Sequence, residues 1–245
     1  MIPKIIHYCW FGKTPLPKKA VKCLNSWKKY FPDYEIKEWN ESNFDVDCIP
    51  YTKQAYAAKK YAFVSDYARF QILYQHGGVY FDTDVEVIQS MTDILATGAF
   101  MGCEVDGTPV HAIEVAPGLG LAVAPGHAIY QELIQTYADL TICNADGTLN
   151  TKTVVKYTTE LLLLHGLENM TGTQQIEGIT IYPKEFFNPL DDSTGVLHKT
   201  KNTYAIHWYA KSWIPTHKIV RSKVTRVFHR LFGVHCFDWL KRKKP

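Results

Sequence analysis

The sequence predicts an α/β fold around a mostly parallel central sheet. Its opening reads strand, helix, strand, the unit that leaves neighbouring strands parallel. A long helical stretch then stops at Gly77-Gly78 and leads straight into a further strand. Composition agrees: 245 residues with 46% hydrophobic and 21% charged side chains suit one large domain or two tightly fused halves. That balance excludes disordered, collagenous and low-complexity classes.

Residues 4–10 (KIIHYCW) make the first predicted strand, and Gly12 with Pro15 to Pro17 a turn. Val21, Leu24, Trp27 and Tyr30 recur at helical spacing between Pro17 and Phe31, with Pro17 near the first helical position. Pro32-Asp33 ends that helix, and Tyr34–Trp39 alternates as a second strand. Residues 59–76 read as one long helix, and VYFDTDVEV (79–87) as one continuous strand. Short strands are expected at 99–103, 119–123, 178–183 and 203–208. Helices are expected from Pro125 to Tyr137 and over 153–165, with a loop over 144–150 between them. From Thr216 the pattern gives two short helices broken at Gly233. Nothing repeats and no linker splits the body, so the expected organisation is one domain over 1–215 and a basic tail over 216–245.

That tail holds nine basic residues and one acid, leaving a net −5 body under a net +8 tail. Such asymmetry points to an anionic partner, membrane or nucleic acid. The N-terminal MIPKIIHYCW lacks the basic and apolar regions of a secretory leader. The longest apolar run, Leu161–Leu164, is far below the ~20 residues of a membrane span. The six cysteines are irregularly spaced with no C-x-x-C, so reduced thiols and a cytoplasmic setting are expected. No P-loop, G-x-S-x-G or H-E-x-x-H motif is present.

Chemistry concentrates between Tyr61 and Val85. On a strand, Asp82 and Asp84 would share a face and offer hard oxygen ligands to Mg²⁺ or Mn²⁺, with substrate phosphates completing the shell. Chance alone gives about 0.7 D-x-D triplets at this composition, so spacing leaves a charged loop equally open. A second triplet, Asp45-Val46-Asp47, reads as a solvated loop. Asp66 and Arg69 stand three apart on a helix ringed by Phe63, Val64, Tyr67, Phe70, Ile72 and Leu73. A helix apolar all round is buried, and a buried charge must be paired or bound to something.

Together, IPKIIHYCWFG, SDYARFQILYQHGGVYFDTDV and IHWYAKSW resemble glycosyltransferase family 32, the D-x-D sugar transferases that include capsular-polysaccharide enzymes. More distantly the sequence is similar to the glucosylating domains of large bacterial toxins. The likeness covers most of residues 1–213 and leaves the basic tail outside. It implies a GT-A-like sandwich with D-x-D beside the donor diphosphate. It implies that Trp10 stacks on the nucleotide base, although a core tryptophan is the alternative reading. Asp66 and Arg69 match a pair that contacts the donor sugar, and Tyr80 an aromatic near the nucleotide. Asp82 matches the aspartate facing ribose and metal, and Asp84 the direct metal ligand. His207 matches a histidine near metal and diphosphate, where relatives often show two adjacent histidines and this chain has His207-Trp208. Ser212 and Trp213 match a closing pair at the phosphates. YPKEFFNP (182–189) resembles a segment flanking the acceptor, whose aromatics would stack on sugars or pack in the core.

The resemblance implies a metal-dependent, retaining transfer from a nucleotide sugar, UDP-hexose first and GDP-mannose second. The acceptor would be a saccharide or lipid-linked saccharide in capsular or other surface-polysaccharide synthesis. No compelling nucleophile stands out: Glu104 and Glu114 are loose candidates and surface acids the plainer reading, which favours front-face attack. A nucleotidyltransferase or phosphodiesterase on the same aspartates is the alternative. A basic-tailed nucleic-acid binder is a further one, disfavoured by the acidic body and the lack of any nucleic-acid module. In the tail, Val220, Val224, Val227, Phe228 and Leu231 keep helical spacing, with Arg221, Lys223, Arg226 and Arg230 mostly on other faces. Phe237, Trp239 and Leu240 then precede Lys241 to Lys244. That is the pattern of an interfacial helix on an anionic membrane surface, which implies peripheral attachment to the inner leaflet and no nucleic-acid partner.

Overall fold

A computed structural model describes residues 1–143, 148, 150, 152–210, 216–234 and 236–237. The elements run β1 (Ile5–Cys9), α1 (Lys18–Tyr30), β2 (Glu35–Trp39), α2 (Pro50–Ala57), α3 (Tyr61–His76), β3 (Gly78–Tyr80) and β4 (Val85–Val87). They continue through α4 (Thr92–Ala96), β5 (Ala99–Val105), β6 (Glu114–Val115), β7 (Leu121–Val123), α5 (Ala128–Ala138) and α6 (Val154–Leu164). Last come β8 (Gln174–Ile176), β9 (Ile179–Tyr182), α7 (Lys184–Phe187), β10 (Ala205–His207) and α8 (Thr216–Phe232).

The main sheet has the order β2-β1-β3-β7-β5-β9-β8, with β6 added on β5. β1 lies parallel to β2 and β3, and β5 parallel to β9. β7 runs against both β3 and β5, and β8 against β9. Strands β2, β1, β3, β5 and β9 therefore point one way, the mostly parallel arrangement expected, and their C-terminal ends share one edge.

Two apolar clusters cover the sheet. One gathers Val64, Phe70 and Leu73 of α3 with Tyr130, Leu133 and Tyr137 of α5. The other gathers Cys23, Trp27 and Phe31 with Phe81, Val85, Phe100 and Phe187. Fully buried Trp27 sits 5.4 Å from the Phe81 ring and donates its Nε1–H to the Val85 carbonyl at 2.8 Å. It thus fixes both flanks of the Asp82-Thr83-Asp84 segment, and truncating so large a side chain costs about 3–5 kcal/mol.

Three expectations are corrected. The long helix expected over 59–76 is there but begins two residues later: α2 ends at Ala57, Lys59 turns at φ 56, and α3 runs unbroken from Tyr61 to His76. Residues 79–87 are not one strand. The chain leaves the main sheet after Tyr80, turns through Asp82 to Asp84 with Val85 N–H bonding back to the Asp82 carbonyl, and re-enters as β4. There it pairs antiparallel with β10 in a separate two-stranded sheet. The tail is one helix, with Gly233 at φ 81 just past its end, and no second helix follows among the described residues.

At the end of α3, Gly77 takes φ 63 and its N–H caps the Leu73 carbonyl. Gly78 takes φ 99, and a Cβ there would lie 2.7 Å from the Ile5 carbonyl oxygen. Glycine is therefore what lets α3 turn directly into β3 beside β1.

Helix α8 is anchored through its arginines. Arg226 binds Asp192 through both Nε and Nη2, Arg230 donates to the Thr194 and Gly195 carbonyls, and His229 Nδ1 meets Ser193 O. Val224, Val227, Phe228, Leu231 and Phe232 stay exposed, the last two at 69% each. The apolar stripe thus does not pack on the body, and Arg226 and Arg230 are held by it. The Val220 side chain, Trp239, Leu240 and Lys241 to Lys244 lie outside the described residues.

Candidate active site

The site forms where β3 and β10 end and β4 begins, against α3. Arg69, on the sheet-facing side of α3, is 3% exposed. Its Nη2 lies 2.9 Å from Asp66 Oδ1 and 3.3 Å from Asp82 Oδ1, and its Nε donates to the Ser65 carbonyl at 3.0 Å. One planar guanidinium therefore bridges two carboxylates, as a fork of donors can and a point charge cannot. Tyr80 closes the group: its hydroxyl donates to Asp82 Oδ1 at 3.1 Å and its ring lies 5.1 Å from the guanidinium carbon. Burial pushes Asp66 up to about 7 even with Arg69 beside it. Burial also raises Asp82, Arg69 pulls it back, and the neighbouring Asp84 raises it again.

Asp84 behaves oppositely. Burial would raise it, but the charge and hydrogen bond of His207 and the Ala210 N–H outweigh that and hold it below the usual carboxylate range. His207 Nε2 stands 3.2 Å from Asp84 Oδ1, and Ala210 N–H donates to Asp84 Oδ2 at 2.7 Å. Burial lowers His207 while Asp84, then Asp82 and Glu104, raise it by more, so the imidazole carries charge above its ordinary range. Its Nδ1 is buried with no hydrogen-bond partner among the described residues.

Asp82 and Asp84 converge, but not for the reason their spacing suggested. They belong to a turn between two sheets rather than one strand face. Asp66, Arg69, Tyr80, Asp82, Asp84 and His207 form one contiguous group. Trp10 lies just past β1, half-buried and packed against the edge of the second core cluster, with Nε1–H donating to the Thr14 carbonyl at 2.6 Å. It lines an open cleft with Lys13, Pro15, Asn40, Glu41 and Ser42. Asp45-Val46-Asp47 is a loop in which the Asp45 carboxylate accepts the Asp47 N–H. Ser212 and Trp213 lie outside the described residues. Trp208 turns away from the carboxylates, its Nε1–H on Glu86 at 2.8 Å, so it does not take the place of a second histidine. In 182–189, Phe187 is core, stacked 5.2 Å from Phe100, while Asn188 reaches toward the site.

Sequence reasoning missed several members. Gly118 backs the group: its carbonyl accepts the Asp82 N–H at 3.1 Å, and a Cβ on it would sit 2.0 Å from Asp82 Oδ2. It forms no phosphate-loop pattern, so no motif marked it. Tyr209 and Asn188 also join, Tyr209 with its ring 4.2 Å from His207. Only the Tyr209 hydroxyl contact to Glu104 shows why that glutamate belongs here.

The donor set suits a hard divalent cation. Two carboxylates stand together, one still raised by burial and by the other, and oxygen ligands of this kind favour Mg²⁺ or Mn²⁺ over zinc. Among the described residues no three His, Cys, Asp or Glu gather closely enough to hold a metal unaided. Asp82 and Asp84 would hold the ion, with substrate oxygens completing its shell.

Residues 17–101 match the family described as "Glycosyltransferase sugar-binding region containing DXD motif". The chain is 34% identical over 110 residues to an uncharacterized glycosyltransferase of Acanthamoeba polyphaga mimivirus, covering 41% of this chain and 42% of that protein. It is 34% identical over 98 residues to inositol phosphoceramide mannosyltransferase 3 of Schizosaccharomyces pombe, covering 38% and 27%. The chain thus spans less than half the length of these curated relatives. A solved glycosyltransferase involved in glycosylation of the major capsid of PBCV-1 superposes with a TM-score of 0.51 at 11% identity, covering 91% of this chain and 100% of that one. The fold is GT-A-like, and residues 17–101 are similar to a glycosyltransferase sugar-binding region containing the D-x-D motif.

Proposed function

We propose that this chain, as the bearer of that sugar-binding region, is a metal-dependent retaining glycosyltransferase. It takes a hexose from a nucleotide sugar, UDP-linked first and GDP-mannose second, to a saccharide or lipid-linked saccharide of a surface polysaccharide. The observation that carries this reading is the buried bridge from Arg69 to Asp66 and Asp82, set directly beside the Asp84–His207 pair. A structural ion pair needs one carboxylate; a second carboxylate on the same guanidinium, next to a third, makes a place for hydroxyls and a cation. The mannosyltransferase named among the relatives keeps GDP-mannose in view.

In this reading Asp66 and Arg69 hold the donor sugar, and Trp10 and Tyr80 flank the nucleotide. Asp84, fixed by Ala210 N–H and His207, presents an ionised carboxylate to the metal. A divalent ion bound there would neutralise the charge that grows on the departing diphosphate. His207, charged beside Asp84, adds positive potential at the same place. The acceptor attacks from the face the diphosphate leaves, which requires no protein nucleophile.

The test is a nucleotide-release screen with UDP-glucose, UDP-galactose and GDP-mannose in Mn²⁺. Release of a nucleoside diphosphate, lost in EDTA and in Asp84→Asn at unchanged Tm, supports the reading. Release of a nucleoside monophosphate would establish the phosphodiesterase alternative instead.

We further propose that residues 1–215 are the catalytic body and that α8 rests on an anionic membrane surface. The exposed ridge from Val224 to Phe232 supports this, and the remaining tail cations complement such lipids at about 1 kcal/mol each. No helix among the described residues is long and apolar enough to cross a membrane. Sedimentation with phosphatidylserine vesicles should be salt-sensitive and vanish on truncation after His217; equal sedimentation of both forms refutes it.

A further inference from the structure

We infer that Glu104, held by Tyr209 and Asn188, is the residue that binds the acceptor hydroxyl. This rests on the glycosyltransferase reading and assigns a part of the site that the donor side leaves unused. Glu104 lies near the C-terminal end of β5, and β5 points the same way as β3, whose end leads into Asp82. Ligands of open α/β sheets bind at that shared edge. The carboxylate therefore stands on the same rim as Asp82 and Asp84, joined to the His207 ring through Tyr209.

Its hold is unusual. The Tyr209 hydroxyl donates to Glu104 Oε1 at 3.0 Å and accepts from Asn188 Nδ2 at 2.6 Å. Asn188 is fully buried, so the chain spends a buried amide on fixing a tyrosine. Tyr209 sits at φ 49, a left-handed conformation costly for an aromatic residue. Strain kept at a site edge is repaid when it aims a side chain, and here it sets the ring against His207 and the hydroxyl on Glu104.

The relay leaves Glu104 half-buried, oriented through one oxygen and without a Lys or Arg partner among the described residues. A surface acid would be free to rotate; a donor-binding acid would share Arg69 or the metal. An oriented carboxylate with an open oxygen is what a neutral hydroxyl needs to be received and turned toward the reacting carbon. Burial also raises Glu114, and the neighbouring Glu104 adds to that rise while Lys156 opposes it.

Hydrolysis of the donor tests this with water standing in for the acceptor, using whichever of UDP-glucose, UDP-galactose or GDP-mannose the wild type turns over. Glu104→Gln keeps the shape and can still receive the Tyr209 hydrogen bond. It should lower kcat at least about tenfold, the loss of a hydrogen bond to a charged group, with donor KM within about twofold. Tyr209→Phe, which removes only the positioning hydroxyl, should lower kcat by less and again spare KM. Unchanged kcat in Glu104→Gln overturns the inference, and so does a rise in donor KM at constant kcat, which would put Glu104 on the donor. A wild type that turns over none of the three donors overturns the glycosyltransferase reading and this inference with it.

Discussion

Gly118→Ala isolates the backing of the D-x-D turn. A Cβ at this position would lie 2.0 Å from Asp82 Oδ2 and 2.9 Å from its Cγ, where ordinary contact begins near 3.4 Å. The carboxylate must therefore retreat by about 1.4 Å. The Asp82 backbone cannot follow, because its N–H is bonded to the Gly118 carbonyl itself at 3.1 Å. The side chain has to rotate instead, away from the Tyr80 hydroxyl and Arg69. Lost hydrogen bonds to a charged group cost about 1.5–3 kcal/mol, and at ~2–4 °C per kcal/mol for a domain of this size Tm should fall by roughly 3–12 °C. A misplacement of about 1 Å at the reacting centre should cut donor turnover by about a hundredfold. Thermal melts and nucleotide release with Mn²⁺ measure both. In an Asp82→Ala background the carboxylate clash is gone and only a 3.2 Å approach to Arg69 Nη1 remains, so Gly118→Ala should cost far less, and the cycle reads the Asp82 contact. Wild-type activity and Tm in Gly118→Ala would refute the reasoning.

Two further perturbations follow from the same geometry. Arg69→Lys should lose most activity and some stability, because one ammonium cannot serve Asp66, Asp82 and the Ser65 carbonyl together; Arg69→Met, which leaves both buried carboxylates unpaired, should cost about 3–5 kcal/mol in denaturant unfolding. His7 is held neutral: Trp39 Nε1–H donates to its Nδ1, its Nε2 donates to Gly77 O, and burial lowers it to about 4. The unfolded chain takes that proton first, so stability should fall by about 2 kcal/mol between pH 7 and pH 5, and His7→Gln should flatten that slope in pH-dependent melts.

How far the sequence could be read depended on whether a residue's partner was local. The β-α-β opening, the burial of α3 and the Asp66–Arg69 pair rest on periodicities within one element, and each appears as expected. The start of α3 was read two residues early, because the turn at Lys59 is set by an unread helix that opens at Pro50 and ends just before it. The continuous strand over 79–87 was wrong for a longer-range reason. Phe81 is claimed by Trp27, the Asp82 N–H by Gly118 and β4 by β10, none of them a sequence neighbour. Gly118, Asn188 and Tyr209 were silent for the same reason: each matters only for what the fold sets against it.

The tail shows how a correct periodicity can support an incomplete inference. The apolar spacing of Val224, Val227, Phe228 and Leu231 predicted a helix with one greasy face, and α8 has it. The spacing could not say which face the body would take, and the body takes the cationic one. Asp192 and the carbonyls of Ser193, Thr194 and Gly195 satisfy Arg226, His229 and Arg230. The charge of Asp192 in the loop that clamps α8 also helps raise the Tyr209 hydroxyl. If α8 rests on a membrane as proposed, a lipid-linked saccharide gains over a freely diffusing one, since one docking event brings both acceptor and enzyme to the same plane.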